Sequence, residues 1–212
     1  MLVSSEVKVY QFRVYLREIS PMIWRRLLLR SDQTIADLHY TLQIAMGWDD
    51  FHLHQFIIRG KRYEVSRVYG PDFLEYGRNV PLHSFQFRQH ERFLYEYDFG
   101  DRWEHEVRFE RSLPLDPKKS YPVCIGGKRA SPQEDCGGPW SFMALKDHFN
   151  IIYIANRLQE IIGMEAEDRD YCYEEIHEFM YWLRAHKFDR RSVNKHLRWY
   201  SIGDKRWREW AS

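Results

Sequence analysis

Long apolar runs are absent from this chain, and none approaches the roughly 20 residues that a membrane-spanning helix needs. Cysteine is scarce and odd in number: Cys124, Cys136 and Cys172. A small secreted scaffold stapled by disulfides would carry more, in pairs, so a reducing cytoplasm is the expected setting. Charged residues follow Met1 almost at once, leaving no apolar core of signal-peptide length. An excess of charge of either sign is also missing, with 32 Lys and Arg against 31 Asp and Glu. Any attraction to nucleic acid must therefore come from a local patch. Neither a Walker-type phosphate loop nor a dinucleotide glycine pattern occurs, so a nucleotide cofactor has no support. Internal repeats and low-complexity segments are absent too.

What the chain does have is core material. Of its 212 residues 44% are apolar and 17% aromatic, which argues for a packed globular fold. From Lys8 to Arg17 the pattern alternates, with Tyr10, Phe12, Val14 and Leu16 on one face, and predicts a half-buried strand. Ile23 to Arg30 predicts its hairpin partner, with Ile23, Leu27 and Leu29 inward and Arg25 interrupting that face. Thr34 to Asp37 fits a capping box at the start of a helix whose stripe is Ile35, Leu38, Leu42, Ala45 and Met46, and Gly47 suits its left-handed end. Strands are expected at His52–Ile58 and Lys61–Val65 across Gly60, an irregular loop over 66–90, and strands at Phe93–Phe99 and Trp103–Arg111. Leu113–Pro139 is loop-rich. Helices are expected from Ser141 on: one near Phe142–Phe149, then Ile151–Ile162, Tyr173–His186 and Val193–Tyr200. The expected class is α+β: a mixed sheet packed on one main helix, compatible with a ubiquitin-like ββαββ core. The expected division is a 1–140 domain and a 141–212 helical extension.

Four segments in fixed order carry a resemblance. They are Pro21-Met22-Ile23-Trp24-Arg25-Arg26; Leu38-His39 through Ala45-Met46-Gly47-Trp48 to His52-Leu53-His54-Gln55-Phe56; Tyr95-Glu96-Tyr97-Asp98-Phe99-Gly100-Asp101-Arg102-Trp103-Glu104-His105; and Tyr121-Pro122-Val123-Cys124 with Gly126-Gly127 and Glu134-Asp135-Cys136-Gly137-Gly138. Over roughly residues 8 to 150 the chain resembles the bacterial Ri-plasmid ORF-three-like family, of the plasmid pRiA-four-b type. The resemblance implies a fold and a mobile-element setting rather than a reaction. Some members bear a transposon-passenger, resolvase-like label. A serine recombinase needs a nucleophilic serine beside clustered arginines. Here Ser4 and Ser5 precede the first strand and Arg25-Arg26 lie within one, so that activity is not carried over. Many relatives have Cys-Pro-Pro where this chain has Ser131-Pro132-Gln133, which removes one thiolate from any metal site built on the family's cysteines.

Three constellations are candidates for chemistry. His52 and His54 are two apart, so on a strand they would share a face, and His105 with Asp98, Asp101, Glu134, Asp135 and Cys136 could converge on them. Imidazole and carboxylate suit zinc or iron, with His52, His54 and His105 the candidate ligands. The plainer reading is core histidines beside a tight Asp98–Asp101 turn. Glu134-Asp135-Cys136-Gly137-Gly138-Pro139-Trp140 reads as an acid pair for proton transfer or as a rigid helix-entry loop anchored by Trp140. A groove for a protein or small ligand is expected among Trp48, His52, His54, Tyr97, Asp98, Asp101, Trp103, His105, Glu134, Asp135 and Trp140.

Finally, Arg184–Arg208 holds nine Lys or Arg against Asp189 and Asp204, a local charge of +7, interleaved with aromatics. Arg190, Arg191, Lys195 and Arg198 form the candidate nucleic-acid patch. The alternative is that these cations pair with the acids of 156–182. The leading expectation is a binding or adaptor module with no evident catalysis. Nucleic-acid binding is the alternative, and a metal-dependent hydrolase the third.

Overall fold

The computed structural model describes residues 6–65 and 79–209. Part of the expected 66–90 loop, residues 66–78, lies outside the described residues. Among the described residues there are seven strands: β1 Lys8–Leu16, β2 Trp24–Arg30, β3 His54–Ile58, β4 Lys61–Val65, β5 Arg92–Tyr97, β6 Trp103–Pro114 and β7 Val123–Lys128. They form one sheet in the order β4-β3-β5-β6-β1-β2-β7. The α+β class stands, but the sheet is not mixed. Every pairing is antiparallel, because the sheet is assembled from hairpins β1–β2, β3–β4 and β5–β6, and β1 also meets β6 antiparallel.

Five helices follow the labels α1 Ile35–Met46, α2 Gly138–His148, α3 Ile151–Gly163, α4 Tyr173–Arg184 and α5 Arg190–Ser201, with one-turn pieces between α3 and α4. The capping box at Thr34 and Asp37 forms, and Gly47 ends α1 at φ +76°. α1 is buried nearly all round, including the polar His39, Thr41 and Gln43. One side meets the sheet. The other is covered by the C-terminal region: the Tyr200 hydroxyl donates to Asp37 Oδ1 at 2.6 Å, and Trp207 packs edge-on against Tyr40. Among the described residues no helix is long and apolar enough to cross a membrane.

β7 falls within the stretch Leu113–Pro139 that its prolines and glycines mark as loop-rich. Gly126 instead lies on the Trp24 ring, and a Cβ at Gly127 would sit 2.3 Å from Phe188. Its outer edge is not left open. Asn194 of α5 accepts from Cys124 N at 2.8 Å and donates to Cys124 O at 2.9 Å, standing in for a neighbouring strand.

Arg25 does not break the inward face of β2; it occupies it, at 2% exposure. Nε donates to Ala45 O at the end of α1 (2.8 Å), Nη1 to Trp24 O (2.9 Å) and Lys128 O (3.2 Å), and Nη2 to Ser131 Oγ (2.9 Å). The guanidinium carbon lies 3.9 Å from the Phe188 ring centroid. Burial lowers its pKa to about 10. Among the described residues no carboxylate pairs with it; carbonyl dipoles, a hydroxyl and an aromatic face surround the charge. Arg25→Ala strands these acceptors and opens a cavity, so urea unfolding should reveal a loss of at least about 3 kcal/mol. Arg25→Lys should recover little of it, because one ammonium cannot span the guanidinium's fork of partners. Wild-type stability in either variant would contradict this role.

Candidate functional site

The turn after α1, the β5–β6 turn and the loop before α2 come together. Trp48 Nε1 donates to Pro132 O at 2.9 Å, and Asp49 N donates to Glu134 Oε2 at 2.7 Å. The Tyr97 hydroxyl donates to Glu134 Oε1. Asp101 Oδ2 accepts Gly137 N at 3.0 Å, and Gly138 at φ +79° lies so close that a Cβ would be 2.4 Å from Asp101 O. In the β5–β6 turn Asp98 Oδ1 accepts Gly100 N and Asp101 N. The left-handed residues there are Asp98 and Arg102 rather than Gly100.

Four of the residues expected to line a groove are packed together. Trp48 stacks on Tyr97 at 5.1 Å and meets Trp103 at 5.9 Å and His105 edge-on at 5.2 Å, and all four rings are buried. Trp140 is not an anchor. It is 84% exposed, and the buried Gly138 and Pro139 seat the start of α2 instead.

The three expected histidine ligands go to three places. His54 is buried, its ring parallel to that of His39 with centroids 3.5 Å apart. His39 was not singled out from sequence, where it reads as a neighbour of the α1 stripe; its Nδ1 meets the Tyr95 hydroxyl and its Nε2 meets Asp50, both at 2.9 Å. His39, Asp50 and His54 place ligand-type atoms within 4.8 Å of one another. Parallel rings, however, send their in-plane lone pairs side by side rather than toward one point.

His52 makes the second such group, with Asp98 and Asp135. Nδ1 lies 3.6 Å from Asp98 Oδ2, and Nε2 lies 3.1 Å from Asp135 Oδ1. The second contact is short enough for an ion pair but outside hydrogen-bond geometry, which leaves the buried Nε2 without a hydrogen-bond partner. Beside this group, burial raises the pKa of Glu134, while the Tyr97 hydroxyl and Asp49 N–H act against the shift. Burial, then Glu134, pushes the Tyr97 phenol upward.

His105 is wholly buried, with Nδ1 near Tyr95 O at 3.3 Å and Trp103 O at 3.2 Å, and its Nε2 lacks a hydrogen-bond partner. Burial lowers its pKa to about 4. It is a core histidine.

Among the described residues, no ion pair joins the C-terminal cations of 184–208 to the acids of 156–182. Arg157 takes Glu160 and Glu175, and Arg206 takes Asp204. Among the described residues no ion pair joins Arg190, Arg191, Lys195 or Arg198 to a carboxylate. All four line an open groove of about 760 Å³ between α5 and the β7 edge, with Trp199 and Arg206. Lys195 Nζ lies 4.6 Å above the Trp199 ring. No acidic residue lines the groove. Sequence pointed to the patch but missed Asn194 and the β7 edge, which form its wall, because β7 itself was not visible.

A model of the plasmid pRiA4b ORF-3-like protein family matches residues 8–196, which extends past the α+β segments through most of α5. An uncharacterised protein, y4hQ, from Sinorhizobium fredii is 32% identical over 135 residues, covering 63% of this chain and 69% of that protein. The crystal structure of a protein of unknown function, MM3350, from Methanosarcina mazei is similar with a TM-score of 0.65 at 30% identity, over 89% of this chain and 99% of that one.

The burial of His105 has a pH consequence. Between about 4 and 6.5 the unfolded chain binds a proton that the native His105 refuses, so stability falls as pH falls through that window. From pH 7 to 5 the contribution is about 2 kcal/mol. Urea unfolding at both values should show a smaller loss in His105→Gln than in wild type; equal losses would contradict the assignment.

Proposed function

The chain belongs to the plasmid pRiA4b ORF-3-like family, and we propose that it is a binding module whose partner is nucleic acid, held through its phosphates on the cationic face of α5. The observation that supports this is the set of four cations that line one open groove and have no carboxylate partner among the described residues. Packed proteins usually give surface cations nearby acids. Here the acids lie on other elements and the groove carries one sign only, which is the electrostatic footprint of a polyanion site despite a net charge of +1. In this reading the 141–212 extension carries the ligand and the 1–140 domain is its rigid base. A cytoplasmic, mobile-element setting belongs to the same proposal.

Fluorescence anisotropy with a labelled single-stranded 20-mer and its duplex tests it. Affinity should fall steeply with salt, and Arg190→Ala, Arg191→Ala and Lys195→Ala together should weaken binding at least about tenfold and flatten the salt slope by about 2. Binding unchanged by the triple substitution would reject the groove.

A second reading rests on His52. If Asp98 holds the Nδ1–H, Nε2 presents its lone pair 3.1 Å from an Asp135 oxygen, a repulsive arrangement unless a proton or a cation lies between. A divalent transition metal bonded at about 2.1 Å to both atoms fits that spacing, and Asp98 then plays the orienting carboxylate behind a ligating histidine. Elemental analysis of tag-free protein should find about one metal per chain, lost in His52→Ala and kept in His54→Ala. Loss in His54→Ala alone would shift the site to the His39–Asp50–His54 group, and metal-free wild type would dismiss this reading.

A further inference from the structure

A cavity of about 290 Å³ lies where the β1–β2 turn meets α2 and α4, away from both groups of residues discussed above. Its wall is aromatic and rigid. Phe149 stacks on Trp182 at 5.7 Å with the planes 15° apart, and Phe142 lies 5.4 Å from the same indole. Ile23 closes the floor, buried like Phe142 and Trp182. Trp182 Nε1 donates to Glu178 and is thereby fixed in orientation.

Among the described residues, the ionisable groups of the lining are all basic. Arg129, Lys146 and His186 line the cavity, and no carboxylate does. Arg129 spends Nη1 on Met22 O at 3.1 Å, and Lys146 has only a loose contact of 3.9 Å with Asp147, whose side chain is largely exposed. An apolar, aromatic cleft with two permanent cations and an imidazole is complementary to a molecule with an apolar body and one negative end. A neutral apolar ligand would leave the cations without partners, and a cationic one would be repelled.

We propose that this cavity binds a small amphiphilic acid, an aliphatic or aryl carboxylate of medium length, with the body against Phe142, Phe149 and Trp182 and the carboxylate between Arg129 and Lys146. The volume sits at the lower end of the small-molecule range, which favours a compact ligand over a long-chain lipid.

Calorimetric titration of the full chain with octanoate, octylamine and octanol separates the possibilities. Octanoate should bind with a Kd near or below about 1 mM, and octylamine and octanol at least tenfold more weakly. Lys146→Glu changes a surface-reaching side chain and should leave the unfolding transition in place while weakening octanoate at least tenfold. Ala185→Leu, which fills the cavity, should weaken octanoate and octanol alike. Equal binding of octanoate and octylamine, octanoate binding indifferent to Lys146→Glu in a folded protein, or no octanoate binding up to 10 mM would each overturn the proposal.

Discussion

The guanidinium of Arg25 lies among three backbone carbonyls, the Ser131 hydroxyl and the face of Phe188, with no carboxylate in contact. Each partner belongs to a different piece of the fold: the end of α1, β2 itself, the end of β7, the loop that follows it and the link between α4 and α5. A buried charge is tolerated only where its surroundings are held in place to satisfy it, so these pieces constrain one another through one side chain. Two consequences reach the candidate sites. The loop from Ser131 runs on to Pro132 and Glu134, which fix Trp48 and Asp49, and so to the His52 group. Phe188, seated on Arg25 and Gly127, leads directly into Asp189, whose side chain caps α5. The cationic groove and the histidine group therefore rest on the same joint from two sides.

Much of this was legible in the sequence where a local rule suffices. The period-two strands, the Thr34 capping box and the Gly47 terminus depend on neighbours a few residues apart, and they appear as expected. The segments that carry the family resemblance do meet, at Trp48, Asp101 and Glu134. What sequence hid was anything decided by distant packing. Arg25 reads as a flaw in a strand because all its acceptors but the adjacent Trp24 O lie 20 to 106 residues away. β7 lies in a stretch that prolines and glycines mark as loop-rich, whereas its own glycines make room for Trp24 and Phe188. Trp48, expected to line a groove, instead packs on Tyr97 and His105, because neighbouring aromatic rings satisfy one another.

Charge segregation is the other large-scale feature. At a net charge of +1, the chain spends Arg157 on Glu160 and Glu175 within its acidic helices and leaves the outer face of α5 basic. α5 is anchored by Asn194 on the β7 edge, by Asp189 at its start and by Tyr200 on Asp37, none of which uses the exposed cations. Arg190 adds a hydrogen bond from Nη1 to Ile125 O at 3.0 Å on the β7 edge, so the helix is held with little use of its charged face, which leaves that face available to a polyanion.

The most direct measurement is a nitrogen-15 NMR titration of the full chain with an unlabelled single-stranded 20-mer at low salt. The account predicts that the largest shifts fall on Cys124, Ile125 and the exposed face of α5, including the Trp199 indole, and that they vanish as salt is raised. Shifts concentrated instead around His52 and Asp135, or scattered over the surface without salt dependence, would contradict it.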